Sequence, residues 1–185
     1  MNQFNQFQEA LALTHIEKNV FLVKPDNRYF VGNTPHGGYL QALMHKALVT
    51  ILPHATAISS SVQFLDRIEN DDLTLTVDIY KISRGSSSGV VRAIQDDKVC
   101  AVFTGTCSDF EHMKGYSGLN TPLPKIFDES NMANFVEMNY DKISKGFTPN
   151  FIKQLKCLVH PDHAWWNKEE LEEGAEARCS AFLEL

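Results

Sequence analysis

The most regular pattern of apolar positions lies in residues 40–52, where apolar side chains recur every three or four residues for three turns. These positions are Leu40, Leu43, Met44, Ala47, Leu48, Ile51 and Leu52. Such spacing predicts an α-helix, and Pro53 predicts its end. Because the apolar face is wide, we expect this helix to be embedded in apolar surroundings rather than to have one solvent-exposed half.

Four segments after this helix alternate apolar and polar residues, which is the pattern of strands with one buried face. The strictest alternation runs over residues 73–80. The other three segments, with a turn of two aspartates between the last two, are residues 58–64, 89–95 and 98–108. Their short separations predict an antiparallel meander.

The residues before the central helix predict a short helix and a hairpin. Apolar residues within 3–13 fall on one helical stripe, and residues 15–31 are interpreted as a hairpin whose turn is Pro25-Asp26-Asn27. Taken together, the elements predict an α+β fold. We expect one antiparallel sheet wrapped around a central helix at about residues 36–52.

The chain changes character after residue 112. Glycines and prolines cluster over residues 113–124 among polar neighbours, which is typical of a linker. Residues 146–160 and 175–185 then predict two further strands, separated by a tryptophan-containing loop. Two strands alone are marginally stable, so we expect them to pair with others. The predicted division is a first unit at 1–112, a linker at 113–145 and the start of a second, incomplete unit at 146–185.

Three segments resemble the acyl-CoA thioesterase family that is built from two hotdog units in tandem. Residues 34–48 (TPHGGYLQALMHKAL) resemble its Gly-Gly helix start, residues 62–65 (VQFL) resemble the strand after the helix, and residues 82–95 (ISRGSSSGVVRAIQ) resemble its Arg-Gly turn and next strand. The resemblance implies a hotdog fold, followed by a partial second hotdog unit, with acyl-CoA or a related thioester as ligand. In that family the aspartate, serine or threonine, and glutamine usually assigned to hydrolysis belong to the second unit, and no positions in this sequence match them.

The start of the central helix holds the main candidate chemistry. Thr34 is predicted to cap the helix and Pro35 to occupy its first position. Gly37 and Gly38, just inside the first turn, each cost about 1 kcal/mol of helix propensity relative to alanine. The resemblance implies that backbone N–H groups at these glycines polarise the thioester carbonyl, and the positive helix end would stabilise an oxyanion there. Close packing of helix against sheet is the alternative explanation for the glycines.

Several side chains near this helix start are candidates for the same site. His36 can exchange a proton near neutral pH, but the positive end of a helix disfavours imidazolium, which favours a capping role. Gln41 lies one turn after Gly37 and can orient water, although it cannot act as a base. The candidate catalytic residues are therefore Gly37, Gly38, His36 and Gln41, and the candidate substrate-binding residues are Asn33, Thr34, Tyr39, Arg84 and Gly85.

Arg84 and Gly85 belong to a serine-rich turn at some distance along the chain from the helix start. A guanidinium and several backbone N–H groups in such a turn can meet a CoA phosphate. A solvated hairpin arginine is the alternative interpretation.

Composition and charge narrow the range of partners. The chain has 185 residues, of which 43% are hydrophobic and 22% charged, as in globular proteins. Its net charge of −6 offers no basic field for nucleic acid. No apolar run reaches the roughly 18 residues of a membrane span, and no signal-peptide pattern is present, so we expect a cytoplasmic protein. His160 and His163 have no third ligand at a suitable spacing, and we expect neither metal nor cofactor.

Three functions fit the pattern to different degrees. The first is hydrolysis of an acyl-CoA thioester by water, although the predicted helix contains no Asp or Glu. The alternative is a non-catalytic acyl-CoA binding module, or a half-enzyme that needs a partner chain. A hydratase would need a histidine with an acidic partner, and His36 has no obvious one. Because a hotdog sheet leaves an open edge, we expect a homodimer or higher homo-oligomer.

Overall fold

The computed structural model describes residues 3–116, 118, 120–121, 135–140, 146–161, 164 and 181–184. The chain divides into two compact units, residues 1–115 and 116–185. Within the described ranges, none of the helices has the length and apolar character that crossing a membrane requires.

The first unit is an antiparallel sheet with one long helix, which confirms the predicted fold class. Its helices and strands are α1 (Gln3–Ala10), β1 (Thr14–Glu17), β2 (Val20–Val23), β3 (Phe30–Val31), β4 (Thr34–Pro35), α2 (Gly37–Ile51), β5 (Thr56–Phe64), β6 (Leu73–Ile82), β7 (Ser86–Gln95) and β8 (Lys98–Ser108). Short 3-10 helices occur at Asn27–Tyr29 and Phe110–His112. The central helix and the four long strands lie where the sequence predicts them.

Six of the strands form one sheet in the order β1-β2-β6-β7-β8-β5. The predicted meander is therefore wrong for its first strand, because β5 pairs with β8 and not with β6. Residues 65–72 carry the chain from this edge strand back to β6. Alternation of side chains identifies a strand but does not identify its neighbour, which explains the error.

The first hairpin turns earlier than predicted. β1 and β2 pair directly, and Asn19, with φ of 60°, takes the left-handed conformation in the turn between them. Asparagine adopts this conformation more readily than most residues do. The predicted turn at Pro25-Asp26-Asn27 instead leads into the 3-10 helix, where the Asp26 side chain accepts a hydrogen bond from the Arg28 N–H at 2.9 Å.

The β7–β8 turn is at the predicted aspartates. Asp96 and Asp97 have φ of 51° and 61°. Two consecutive left-handed residues are what a tight type I′ hairpin requires, because its twist matches that of the flanking strands. This turn fixes the register of the two strands that lie beneath α2.

Helix α2 lies against β6, β7 and β8, and its side chains Leu43, Met44 and Leu48 are fully buried. Gly89 and Gly105 face each other on β7 and β8. A Cβ atom would lie 2.8 Å from Cδ1 of Leu48 if added to Gly89, and 2.6 Å from its Cδ2 if added to Gly105. A tightly packed protein interior has no spare room for a side chain between Leu48 and these strands. The glycine pair thus allows the helix to pack closely on the sheet.

In the second unit, the described strands form a three-stranded antiparallel sheet in the order β11-β10-β9, with β9 at Val136–Glu137, β10 at Lys156–Val159 and β11 at Ala181–Glu184. The predicted final strand is confirmed over residues 181–184. The predicted strand at 146–160 is wrong over Asn150–Gln154, which form a 3-10 helix after Pro149. β9 falls inside the predicted linker, and the tryptophan loop lies outside the described residues. The division at 112 and 145 stays a prediction.

Candidate active site

The start of α2 is shaped by a short strand pair rather than by a threonine cap. Thr34 and Pro35 form β4, in which Pro35 faces Phe30 of β3. The helix begins at Gly37 and its N-cap is His36. The predictions that Thr34 caps the helix and that Pro35 occupies its first position are therefore wrong. The extended backbone that proline favours in the residue before it suits the strand pair equally well.

His36 satisfies one of the helix's unpaired amides. Its ring Nδ1 accepts a hydrogen bond from the Gly38 N–H at 3.2 Å. Its backbone N–H donates to the Tyr29 carbonyl at 2.8 Å. Helix starts leave several N–H groups without partners inside the helix. Since Nδ1 is occupied as an acceptor, this arrangement supports a capping role for His36 rather than a role as a base.

A cavity of about 250 Å³ lies on the Gly37 side of the helix start, and we refer to it as the Gly37 cavity. Its lining is mostly apolar and consists of Thr34, Pro35, Gly37, Leu40, Phe64, Asp66 and Ile68. A Cβ added to Gly37 would lie 3.0 Å from Cζ of Phe64. The phenyl ring therefore occupies the space that a side chain at Gly37 would need.

Asp66 is a carboxylate of the Gly37 cavity that the sequence did not single out. Its Oδ1 accepts a hydrogen bond from the Arg67 N–H at 2.7 Å, and Arg67 Nε donates to Thr34 Oγ1 at 2.9 Å. The sequence suggests only a charged surface turn here. The position depends on β5 ending beside α2, which local sequence does not show.

A second cavity of about 250 Å³ lies on the Gly38 side, between α2, β5 and β8, and we refer to it as the Gly38 cavity. It is lined by Gly38, Gln41, Ala42, His45, Ala57, Ser60 and Phe103. Gly38 and Ser60 are exposed whereas Phe103 is buried, so the cavity runs from the surface to the sheet. Gln41 Nε2 donates to Ser60 Oγ at 3.3 Å.

His45 and Ser60 are polar residues of this cavity that the sequence prediction missed. The available signal was the helical spacing, because Gln41 and His45 are four residues apart and therefore share a helix face. No local signal identifies Ser60, which reaches the cavity only through the pairing of β5 with β8. Desolvation by burial lowers the pKa of His45 from its ordinary value.

Two predicted substrate-binding residues lie away from both cavity linings. Tyr39 is buried and stacks on Tyr29 with ring centroids 5.0 Å apart. Its hydroxyl donates to the Ala10 carbonyl at 2.8 Å and accepts from the Asp26 N–H at 2.9 Å. Burial raises the pKa of Tyr39 to about 12. Tyr39 therefore serves to pack α1 against α2. The second residue, Asn33, is exposed in the turn between β3 and β4.

The Arg84-Gly85 turn is at the opposite end of α2 from the glycines. His54, just after the helix, has Nδ1 3.0 Å from Ser87 Oγ and Nε2 3.3 Å from the Arg84 carbonyl oxygen. Since α2 has 15 residues, its two ends are roughly 20 Å apart. Within this unit, the structure does not bring the predicted phosphate contacts together with the predicted catalytic residues.

The start of α2 carries the positive end of the helix dipole. The first turn of α2 contains no acidic residue, so the helix dipole has no neighbouring carboxylate on that turn to offset it. Among the described residues there is no cluster of three or more His, Cys, Asp or Glu side chains that could hold a metal ion.

A larger hollow of about 480 Å³ lies in the second unit, lined by residues that include Glu137, Tyr140 and Lys153. Its described walls come from the β9 segment and the 3-10 helix at Asn150–Gln154. Neither element provides the dipole of a long helix. We therefore base the candidate active site on the two cavities beside α2.

Comparison with known protein families gives a match to the first unit. Residues 25–108 match the family model described as the acyl-CoA thioesterase N-terminal domain. The matched range includes α2, the glycine pair and both cavities. No curated protein sequence matches the chain.

Solved structures show the fold. A Thermobifida fusca protein provisionally assigned as a thioesterase II has a TM-score of 0.69 and 17% identity, with 85% of this chain and 55% of that chain covered. A hot dog fold protein of unknown function from Alicyclobacillus acidocaldarius has a TM-score of 0.69 and 16% identity, covering 83% and 55%. A provisionally assigned thioesterase from Novosphingobium aromaticivorans has a TM-score of 0.64 and 15% identity, covering 80% and 58%.

These findings define the fold of the protein. The solved structures show that the chain has a hotdog fold, and the match of residues 25–108 to an acyl-CoA thioesterase domain agrees with the resemblance inferred from residues 34–48. The chain spans 55% of the length of each of the first two solved structures.

Proposed function

We propose that this protein binds acyl-CoA thioesters at the start of α2 and hydrolyses them. The observation that carries the proposal is that Gly37 and Gly38, at the N-terminus of a 15-residue helix, each line a cavity of about 250 Å³. A thioester carbonyl can approach the helix start only where no side chain stands in the way. The match of residues 25–108 to an acyl-CoA thioesterase domain supports the substrate class.

The chemistry follows from the helix end. Attack of water on the thioester places negative charge on the carbonyl oxygen, and the dipole of α2 and its first N–H groups stabilise that charge. A well-aimed donor of this kind lowers the barrier by about 3 kcal/mol. The Gly38 N–H bonds to His36 Nδ1 at 3.2 Å, which is at the long end for an N–H donor. An oxyanion is the stronger acceptor and would displace the imidazole from it.

The two cavities suit different parts of a thioester. The Gly37 cavity has an apolar lining that includes Leu40, Phe64 and Ile68, which suits an acyl chain. The Gly38 cavity contains the amide of Gln41 and the hydroxyl of Ser60, which can hold water or the polar atoms of the ligand. The predicted contact of Arg84 with a CoA phosphate would require a ligand that extends along α2, or a second copy of the chain.

A non-catalytic binding module, or a half-enzyme that needs a partner chain, is the second candidate. Two observations favour it. Helix α2 contains no Asp or Glu, and the chain spans only 55% of the length of the two hotdog structures that it matches with a TM-score of 0.69.

Hydrolysis of a panel of acyl-CoAs of increasing chain length separates these two functions. Thiol release is followed for the wild type and for Gly37→Val, and binding is measured with a thioether analogue that cannot be hydrolysed. Turnover that is lost in Gly37→Val supports the enzyme. Tight binding of the analogue without turnover supports the module. If the chain shows neither binding nor turnover, both functions are contradicted.

A homodimer or higher homo-oligomer remains our expectation. It is supported by β5, an edge strand of the six-stranded sheet whose residues are mostly exposed. Unpaired strand edges attract a further strand. Light scattering on the purified chain tests this expectation, and a monomer at all concentrations would contradict it. The cytoplasmic location stays a prediction.

A further inference from the structure

One histidine of α2 has an unexplained ring nitrogen. Nε2 of His45 is buried and has no hydrogen-bond partner among the described residues. A buried polar atom without a partner destabilises the fold, so such atoms are rare and commonly have a functional reason. His45 lines the Gly38 cavity, which is the space from which a partner could come.

The surroundings of His45 suit a reacting water molecule. Gln41, one turn earlier on the same face, bonds to Ser60 across the cavity at 3.3 Å. The ring of Phe103 covers another side, with its centroid 6.0 Å from that of His45. The amide of Gln41, the hydroxyl of Ser60 and the imidazole of His45 thus share one cavity lining with Gly38.

We infer that His45 is the general base that activates water in the Gly38 cavity, an assignment that rests on the proposed thioester hydrolysis. Nε2 takes a proton from water while the water oxygen forms a bond to the thioester carbonyl carbon. The carbonyl electron pair moves to oxygen and is stabilised by the start of α2. When the pair returns, the C–S bond breaks and the leaving CoA thiolate takes the proton from the imidazolium. The products are the carboxylic acid and CoA thiol.

The ionisation of His45 is consistent with this role. Desolvation by burial lowers its pKa, so the imidazole is neutral at neutral pH and can accept a proton. The cavity residues of β5 and β8 are Ala57, Ser60 and Phe103, none of which titrates in the physiological range. His36 caps the start of α2, and the charged residue of α2 next to His45 in sequence is Lys46, which is exposed.

Asp66 is the competing base, because a carboxylate is the usual acid–base group beside a water nucleophile. It lies in the Gly37 cavity, is exposed, and already accepts the Arg67 N–H at 2.7 Å. His45 has a buried, unpartnered nitrogen and lines the same cavity as the Gln41–Ser60 pair. The geometry therefore favours His45.

The test compares His45→Gln and His45→Ala with the wild type in acyl-CoA hydrolysis. We expect kcat to fall by about a hundredfold or more, because general bases contribute roughly 10²–10⁴ to the rate. We expect KM and the affinity for the thioether analogue to change by less than about threefold. The fall of kcat/KM on the acid side of neutral pH, which we expect in the wild type, should disappear in both variants. Circular dichroism checks folding, and the alanine variant keeps a strong helix former in α2.

His15→Gln is the matched control, since His15 is exposed on β1 and the same substitution there should leave hydrolysis unchanged. Asp66→Asn tests the competing base. The assignment is overturned if both His45 variants keep kcat within about threefold of the wild type, or if the acid limb persists in them and disappears in Asp66→Asn. A wild type that shows no turnover refutes the proposed hydrolysis and this assignment together, whereas turnover that does not depend on His45 refutes this assignment alone.

Discussion

Replacement of Gly37 by alanine distinguishes a functional glycine from a packing glycine. The added Cβ would lie 3.0 Å from Cζ of Phe64, whose side chain is 55% exposed. A half-exposed ring can turn by the few tenths of an ångström required at little cost. Alanine is favoured over glycine in a helix by up to about 1 kcal/mol. We therefore expect the stability of Gly37→Ala to be unchanged or to rise by up to about 1 kcal/mol.

The same methyl group should impair hydrolysis, because it and the displaced ring narrow the Gly37 cavity beside the carbonyl. A loss of about 1.4–3 kcal/mol of transition-state stabilisation corresponds to a fall in kcat/KM of roughly tenfold to more than a hundredfold. Urea unfolding and acyl-CoA hydrolysis measure the two effects on the same samples. Gly115→Ala is the control, since nothing lies within 4 Å of an added Cβ there.

The opposite combination would refute this reasoning. If Gly37→Ala destabilised the protein by more than about 1 kcal/mol while kcat/KM stayed at the wild-type value, the glycine would serve the packing of α2 against its surroundings. The helix start would then lose its role in the proposed chemistry.

Three further substitutions test other parts of the first unit. Gly105→Ala should destabilise by about 1–3 kcal/mol in urea unfolding, because its Cβ would lie 2.6 Å from the buried Leu48, and a Leu48→Ala background should reduce that cost. Tyr39→Phe should cost about 1–3 kcal/mol through two lost hydrogen bonds and leave kcat unchanged, and a tenfold fall in kcat would contradict the packing role. Burial raises the pKa of Asp26, but the hydrogen bonds and charge of Arg28 lower it more, so that it lies below 3.8. The pair therefore stabilises the fold above that pH and less as pH falls through the lower native pKa. Asp26→Asn should flatten the acid side of the stability curve, and an unchanged curve would contradict this.

Local sequence signals predicted the elements on which the site depends. The three- and four-residue spacing from Leu40 to Leu52 predicted α2 almost to its ends, because a helix buried on several sides has few positions where polar residues interrupt the pattern. Two aspartates between alternating segments predicted the β7–β8 turn. The glycines at 37 and 38 indicated the helix start, since their propensity cost requires a compensating reason.

The rest depends on contacts that are distant in sequence. The edge position of β5 brings Ser60 and Asp66 beside α2, and no local pattern reports which strand pairs with β8. The predicted cap is wrong because Thr34-Pro35 has the usual signature of a helix start. In the structure these two residues form β4, and His36 is the N-cap. His45 shares a helix face with Gln41, but a lone histidine on an apolar helix gives no separate signal of a functional role.

The glycine pair on β7 and β8 has a consequence for how this domain could change its ligand. Leu48 rests on Gly89 and Gly105 near the far end of α2, whereas both cavities open at the near end. A side chain in place of either glycine would press on Leu48 and, through it, on the helix. Substitutions that never contact the bound molecule would thus alter the width of both cavities. Variation in acyl-chain preference among similar domains should therefore be sought at these two strand positions as well as around the ligand.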